Sequence, residues 1–253
     1  MGKKFFIIFS IVFVLFGFKL MDENKITVYL IGDSTVSIKE KRNYPETGWG
    51  MPFTQFFDEN VKIDNRAMNG RSTSSFLQEN RWKPVVSTLK KGDYVLIQFG
   101  HNDEVSTKKT YTTPKEFKAN LLKYIKETKS KKAIPILITP VARRKFDANG
   151  MVVDTHQEYA QLVREVAIKN KVQLIDLSAK SMELLQNLGV EKSKYLFNHL
   201  EAGQNPNYRD GKTDDTHFNE LGARLMAQLV LAEIKTLNLG LANYIVKPAE
   251  AKK

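Results

Sequence analysis

Residues 26–34 read Ile26-Thr27-Val28-Tyr29-Leu30-Ile31-Gly32-Asp33-Ser34. Six residues rich in β-branched, aromatic and aliphatic side chains run on with little polar alternation. The chain then breaks at Gly-Asp-Ser. A strand that is apolar on both sides belongs in a sheet covered on both faces. Similar runs recur at 61–64, 94–99, 134–139 and 172–177. Between and after them lie amphipathic segments near 52–57, 74–89, 114–128, 157–170, 179–188 and 219–237. Strands alternating with helices predict βαβ units and a parallel sheet, an α/β protein with helices on both faces. The stretch from Tyr195 to Thr216 is polar, lacks periodicity, and reads as a long loop carrying part of a site.

The 253 residues suit one large domain over 22–253, preceded by a leader. Lys3 and Lys4 open that leader, and an apolar run from Phe5 to Phe18 follows before Asp22-Glu23-Asn24. Residues 1–21 therefore read as a secretory signal peptide, with an uncleaved N-terminal anchor as the alternative. The expected location is secreted or periplasmic, with no stable membrane insertion once the leader is removed. There is no cysteine, so disulfides and a lipoprotein acylated on cysteine are both excluded. The net charge of +11 is spread along the chain, with small clusters at Lys39-Glu40-Lys41-Arg42, Lys129 to Lys132 and Arg143 to Lys145. These read as solvated faces. No basic helix or zinc-finger pattern points to nucleic acid. An anionic polysaccharide fits the charge.

In a parallel sheet, ligands bind beyond the carboxyl ends of the strands. Gly32-Asp33-Ser34, Asn69-Gly70-Arg71-Ser72 and Gly100-His101-Asn102-Asp103 each follow a strand candidate there. Ser34 is either a nucleophile at the strand end or a turn or cap serine. A nucleophilic serine needs a base, and the chain has four histidines. His217 stands three residues after Asp214, a spacing that lets the carboxylate fold back on ring Nδ1 and leave Nε2 free. Asp215 would need a different turn and is alternatively a helix cap. Oxyanion donors are offered by the Ser34 N–H, the Gly70 N–H and the Asn102 amide. His101 reads as a structural histidine. Trp49 either stacks on a sugar or fills the core. Arg143 and Arg144 either pair with substrate carboxylates or are exposed loop charges.

Taken together, Gly32-Asp33-Ser34, Asn69-Gly70-Arg71-Ser72, Gly100-His101-Asn102-Asp103 and Asp214-Asp215-Thr216-His217 resemble, in that order, the SGNH, or GDSL-type, hydrolase superfamily. Gly32-Asp33-Ser34-Thr35-Val36, Gly48-Trp49-Gly50, Gln98-Phe99-Gly100-His101-Asn102-Asp103 and Thr139-Pro140-Val141 are similar to its rhamnogalacturonan acetylesterase branch. The resemblance implies a flavodoxin-like three-layer α/β/α sandwich with a five-stranded parallel sheet. It also implies a Ser34–His217–Asp214 triad, an oxyanion hole of Ser34, Gly70 and Asn102, and no metal or organic cofactor. The expected partner is an acetylated, anionic oligo- or polysaccharide. The alternatives are an acetylxylan or other glycan O-acetylesterase, a lipase or thioesterase of the same fold, and a non-catalytic carbohydrate-binding protein.

Overall fold

A computed structural model describes residues 25–247. The leader expected at 1–21 lies outside them. Five strands, β1 (Ile26–Gly32), β2 (Val61–Asn65), β3 (Tyr94–Gln98), β4 (Ile134–Ile138) and β5 (Gln173–Ile175), form one sheet in the order β2-β1-β3-β4-β5. Every pairing in it is parallel. The fold is the expected α/β/α sandwich. The chain leaves β1 toward β2 on one side and returns to β3 on the other. That reversal places a crevice beyond the ends of β1 and β3.

Alternation within the strands builds two cores. Val28 and Leu30 face one, Tyr29 and Ile31 the other. The first is closed by α1 (Gly50–Phe53), α6 (Leu177–Lys192) and α7 (Glu220–Thr236), through Phe53, Leu185, Met226, Val230 and Ile234. The second is closed by α2 (Thr73–Gln78), α3 (Trp82–Thr88), α4 (Pro114–Ser130) and α5 (Gln157–Lys169), through Phe76, Trp82, Phe117, Tyr124 and Val163. Each such buried side chain contributes about 1.5–3 kcal/mol relative to exposure. Among the described residues no helix is long and apolar enough to cross a membrane.

Most element ends shift by one to four residues from the sequence reading, and three differences go further. The expected helix 74–89 is two helices, α2 and α3, because the chain turns at Asn80 with φ 56°. Helix 52–57 starts at Gly50 and tightens to a 3-10 turn over Thr54–Phe56. The loop expected over 195–216 keeps an irregular middle at 201–211 but is flanked by two strands, β6 (Phe197–Leu200) and β7 (Lys212–Phe218), which pair as an antiparallel hairpin. β7 reads Lys-Thr-Asp-Asp-Thr-His-Phe, so its pairing with β6 is satisfied by backbone while its polar side chains carry no hydrophobic signature.

Candidate active site

The nucleophile turn follows β1 directly. Asp33 is fully buried, and its Oδ1 accepts from the Thr35 N–H at 2.9 Å and the Thr35 hydroxyl at 2.8 Å. Burial opposes its ionisation, but the neighbouring His101 and these donors hold it at about 2. Thr35 Oγ1 in turn accepts from Gln98 Nε2 at 2.6 Å, and Gln98 Oε1 accepts from Trp49 Nε1 at 2.8 Å. Trp49 is 0% exposed. It takes the core alternative, and no face of it is open to a sugar; its indole instead anchors the polar chain that shapes the Ser34 turn.

His217 arrives from β7. Its Nε2 lies 2.9 Å from Ser34 Oγ, and its Nδ1 lies 2.9 Å from Asp214 Oδ2. The other Asp214 oxygen accepts the N–H groups of Thr216 and His217, each at 2.9 Å. Burial works against the charge on Asp214, but the His217 ring and these N–H groups hold its carboxyl well below the usual carboxylate range. A carboxylate fixed on Nδ1 leaves Nε2 to face the serine. The His217 side chain is 28% exposed, so the site is reachable.

Asp215, the other carboxylate of the pair, turns away. It meets Arg144 Nη1 at 2.8 Å and His199 Nε2 at 2.7 Å. Asn219, not Asp215, caps α7. Arg144 is 9% exposed and also donates to Ser193 Oγ and the Val190 carbonyl. Each of its three guanidinium nitrogens donates to protein, so it is not an exposed loop charge but a structural contact of the His217 segment. Arg143 donates to Thr216 Oγ1 at 2.7 Å and lies 3.5 Å from Glu104. The two arginines grip consecutive residues of the segment that carries His217.

The three expected oxyanion donors sit on segments that end near one another in the fold: Lys39 Nζ joins the Ser34 carbonyl to Asn69, the residue before Gly70, and Asn102 reaches the Arg71 carbonyl, the residue after it. Asn102 follows β3, with Nδ2 donating to the Arg71 carbonyl at 3.1 Å and Oδ1 accepting from Lys108 Nζ at 3.1 Å. Those two contacts fix the amide orientation and leave one N–H free. Gly70 sits at φ 75°, a conformation open to glycine, with empty space where a Cβ would stand. Among the described residues neither the Ser34 nor the Gly70 N–H has a protein acceptor. A hydroxyl held by a carboxylate-backed imidazole, with unpaired N–H groups on its own turn and on a linked loop, has the parts that acyl transfer needs.

Several residues at the site escape a sequence reading. Lys39, grouped there with solvated charges, has a side chain 1% exposed and paired with Glu46 at 2.8 Å. Lys212 lies 3.3 Å from Asp214 and 3.4 Å from Glu46. Glu46, Asp214 and His217 bring ligand-type atoms within 4.8 Å of one another, as a metal site would. Here both carboxylates are already paired with ammonium groups, which is poor chemistry for a cation. His101 is buried, its Nδ1 3.4 Å from Asp33. Burial, reinforced by His156, pushes His101 down to about 4, which suits a structural histidine and not a base.

The chain matches the GDSL-like Lipase/Acylhydrolase family over residues 30–225. It is 40% identical over 227 residues to the rhamnogalacturonan acetylesterase RhgT of Bacillus subtilis strain 168, spanning 89% of this chain and 97% of that protein. It is 36% identical over 223 residues to the probable rhamnogalacturonan acetylesterase YesY of the same strain, spanning 87% and 97%. Among solved structures, protein YxiM of Bacillus subtilis superposes with a TM-score of 0.74 at 27% identity, over 85% of this chain and 58% of that one. The chain therefore belongs to the GDSL-like lipase/acylhydrolase, or SGNH, family of carboxylic ester hydrolases.

Proposed function

We propose that this protein is a serine esterase that removes acetyl groups from a plant polysaccharide, pectic rhamnogalacturonan above all. The observation that carries the reading is the line Ser34 Oγ–His217 Nε2–His217 Nδ1–Asp214, with both contacts at 2.9 Å. Ser34 attacks the acetyl carbonyl while His217 takes its proton. The oxyanion is received by the Ser34 and Gly70 N–H groups and the free N–H of Asn102. His217 then gives the proton to the leaving sugar hydroxyl. Water, activated by the same ring, releases acetate from Ser34 in the second half.

The substrate rests on two relatives, 40% and 36% identical, that bear the rhamnogalacturonan acetylesterase name. The net charge of +11, or 11 − 3 = +8 without Lys3, Lys4 and Lys19 of the leader, suits a polymer carrying carboxylates. A leader at residues 1–21 would deliver the enzyme outside the cytoplasm, where such polymers are met.

The test is acetate release from acetylated rhamnogalacturonan, homogalacturonan, xylan and chitin oligomers, with Ser34→Ala as control. Rhamnogalacturonan is expected to be the best substrate and Ser34→Ala to be inert on all. Release confined to xylan overturns the pectin assignment, and a Ser34→Ala protein with near wild-type rate overturns the mechanism.

A further inference from the structure

The Lys39 ammonium lies directly behind the nucleophile. Nζ donates to the Ser34 carbonyl oxygen at 2.5 Å, to Asn69 Oδ1 at 2.7 Å and to Glu46 at 2.8 Å. An ammonium has three N–H donors, and these acceptors take all three. Glu46 continues to Lys212 at 3.4 Å, and Lys212 continues to Asp214 at 3.3 Å. Asp214 holds His217, and His217 meets Ser34 Oγ.

We propose that Lys39, Glu46 and Lys212 close a ring of alternating charge with Asp214, His217 and Ser34, and that Lys39 and Lys212 are positioning residues for the nucleophile and its base. The proposal rests on the esterase reading for its catalytic consequence, but not for its electrostatic one. Two carboxylates, Asp214 and Glu46, stand within 4.8 Å of the His217 ring. Left unpaired, both would favour the imidazolium and tie up the base. The two ammonium groups cancel that excess. Other charges around the ring are engaged elsewhere: Asp33 with Thr35, near His101, Asp215 with Arg144 and His199, and Arg143 with Thr216 and Glu104. Lys39 also ties the Ser34 backbone to the Asn69 loop, so Oγ keeps its line to Nε2.

The experiment is an NMR titration of the His217 ring, assigned with His217→Asn, in wild type, Lys39→Met, Glu46→Gln, the Lys39→Met/Glu46→Gln pair and Lys212→Met. This readout needs no turnover. Removing either ammonium is expected to move the titration midpoint upward by about one pH unit. Glu46→Gln is expected to move it downward, and the pair to return near wild type. A residue that merely fills space would not give this reversal of sign. The acidic limb of kcat/KM for p-nitrophenyl acetate should follow the same pattern, with kcat of Lys39→Met down about tenfold on the plateau. If Lys39→Met does not fold, Lys212→Met decides, since its side chain reaches solvent. An unmoved midpoint in every folded lysine variant overturns the ring. Loss of the esterase reading would show separately, as Ser34-independent hydrolysis in the wild-type background.

Discussion

Arg144 holds Asp215 at both ends. Its backbone N–H donates to the Asp215 carbonyl at 2.8 Å, and its Nη1 meets the Asp215 carboxylate at 2.8 Å. Because Asp214 precedes Asp215 and His217 follows two residues later, this double grip sets where the imidazole stands. Arg144→Met removes the side-chain half of the grip along with the bonds to Ser193 and Val190. Asp215 remains half exposed, so its charge is not stranded. The expected loss is about 2–4 kcal/mol in urea unfolding. Turnover should fall while KM stays nearly constant, because the base loses its place and the substrate does not.

Asn102 offers the third oxyanion donor. Asn102→Ala is expected to lower kcat on an acetyl ester by about 10²–10³. Asn102→Asp should be at least as damaging, since a carboxylate has the shape without the N–H. A kinetic comparison on p-nitrophenyl acetate separates this from a binding defect. Little change in either variant would remove Asn102 from the site.

Asp103, next in the chain, accepts from the Thr73 N–H at 2.9 Å and the Thr73 hydroxyl at 2.6 Å, while its Oδ2 is buried without a partner. Burial pushes this carboxyl up to about 7, against the Thr73 bonds. The folded state thus binds a proton more tightly than the unfolded chain does. Its contribution to stability is full below the ordinary carboxylate range and is lost as pH rises toward 7, by at most about 1.4 kcal/mol per pH unit. Thermal melts between pH 4 and pH 7 should show this decline in wild type and a flatter profile in Asp103→Asn.

Gly222, in the first turn of α7, lies against the Leu196 carbonyl. A Cβ at that position would stand 1.9 Å from the Leu196 oxygen. Backbone cannot yield as a side-chain tip does, so Gly222→Ala must push the helix away from the hairpin base. A destabilisation of about 1–3 kcal/mol is expected in urea, with an unchanged m-value.

The alternation of strands and helices, the sheet-edge position of Ser34 and the three-residue step from Asp214 to His217 were legible because each is local in the chain. What escaped was set by distant partners. Lys39 sits in a run of charges, and only Glu46, Asn69 and the Ser34 carbonyl explain its burial. Arg144 resembles any loop arginine until Asp215, 71 positions away, is seen to meet it. The β6–β7 hairpin was hidden for a related reason. Its order comes from backbone pairing across the loop, which leaves no periodic trace in Asp, Thr and His side chains.

Ser34 and His217 touch across 183 positions of chain. During synthesis the serine, its turn and most of the sheet leave the ribosome long before the imidazole does. A chain halted ahead of residue 217 therefore carries an ordinary alcohol, and reactivity toward esters arises only when the last quarter of the polypeptide has joined the first strand.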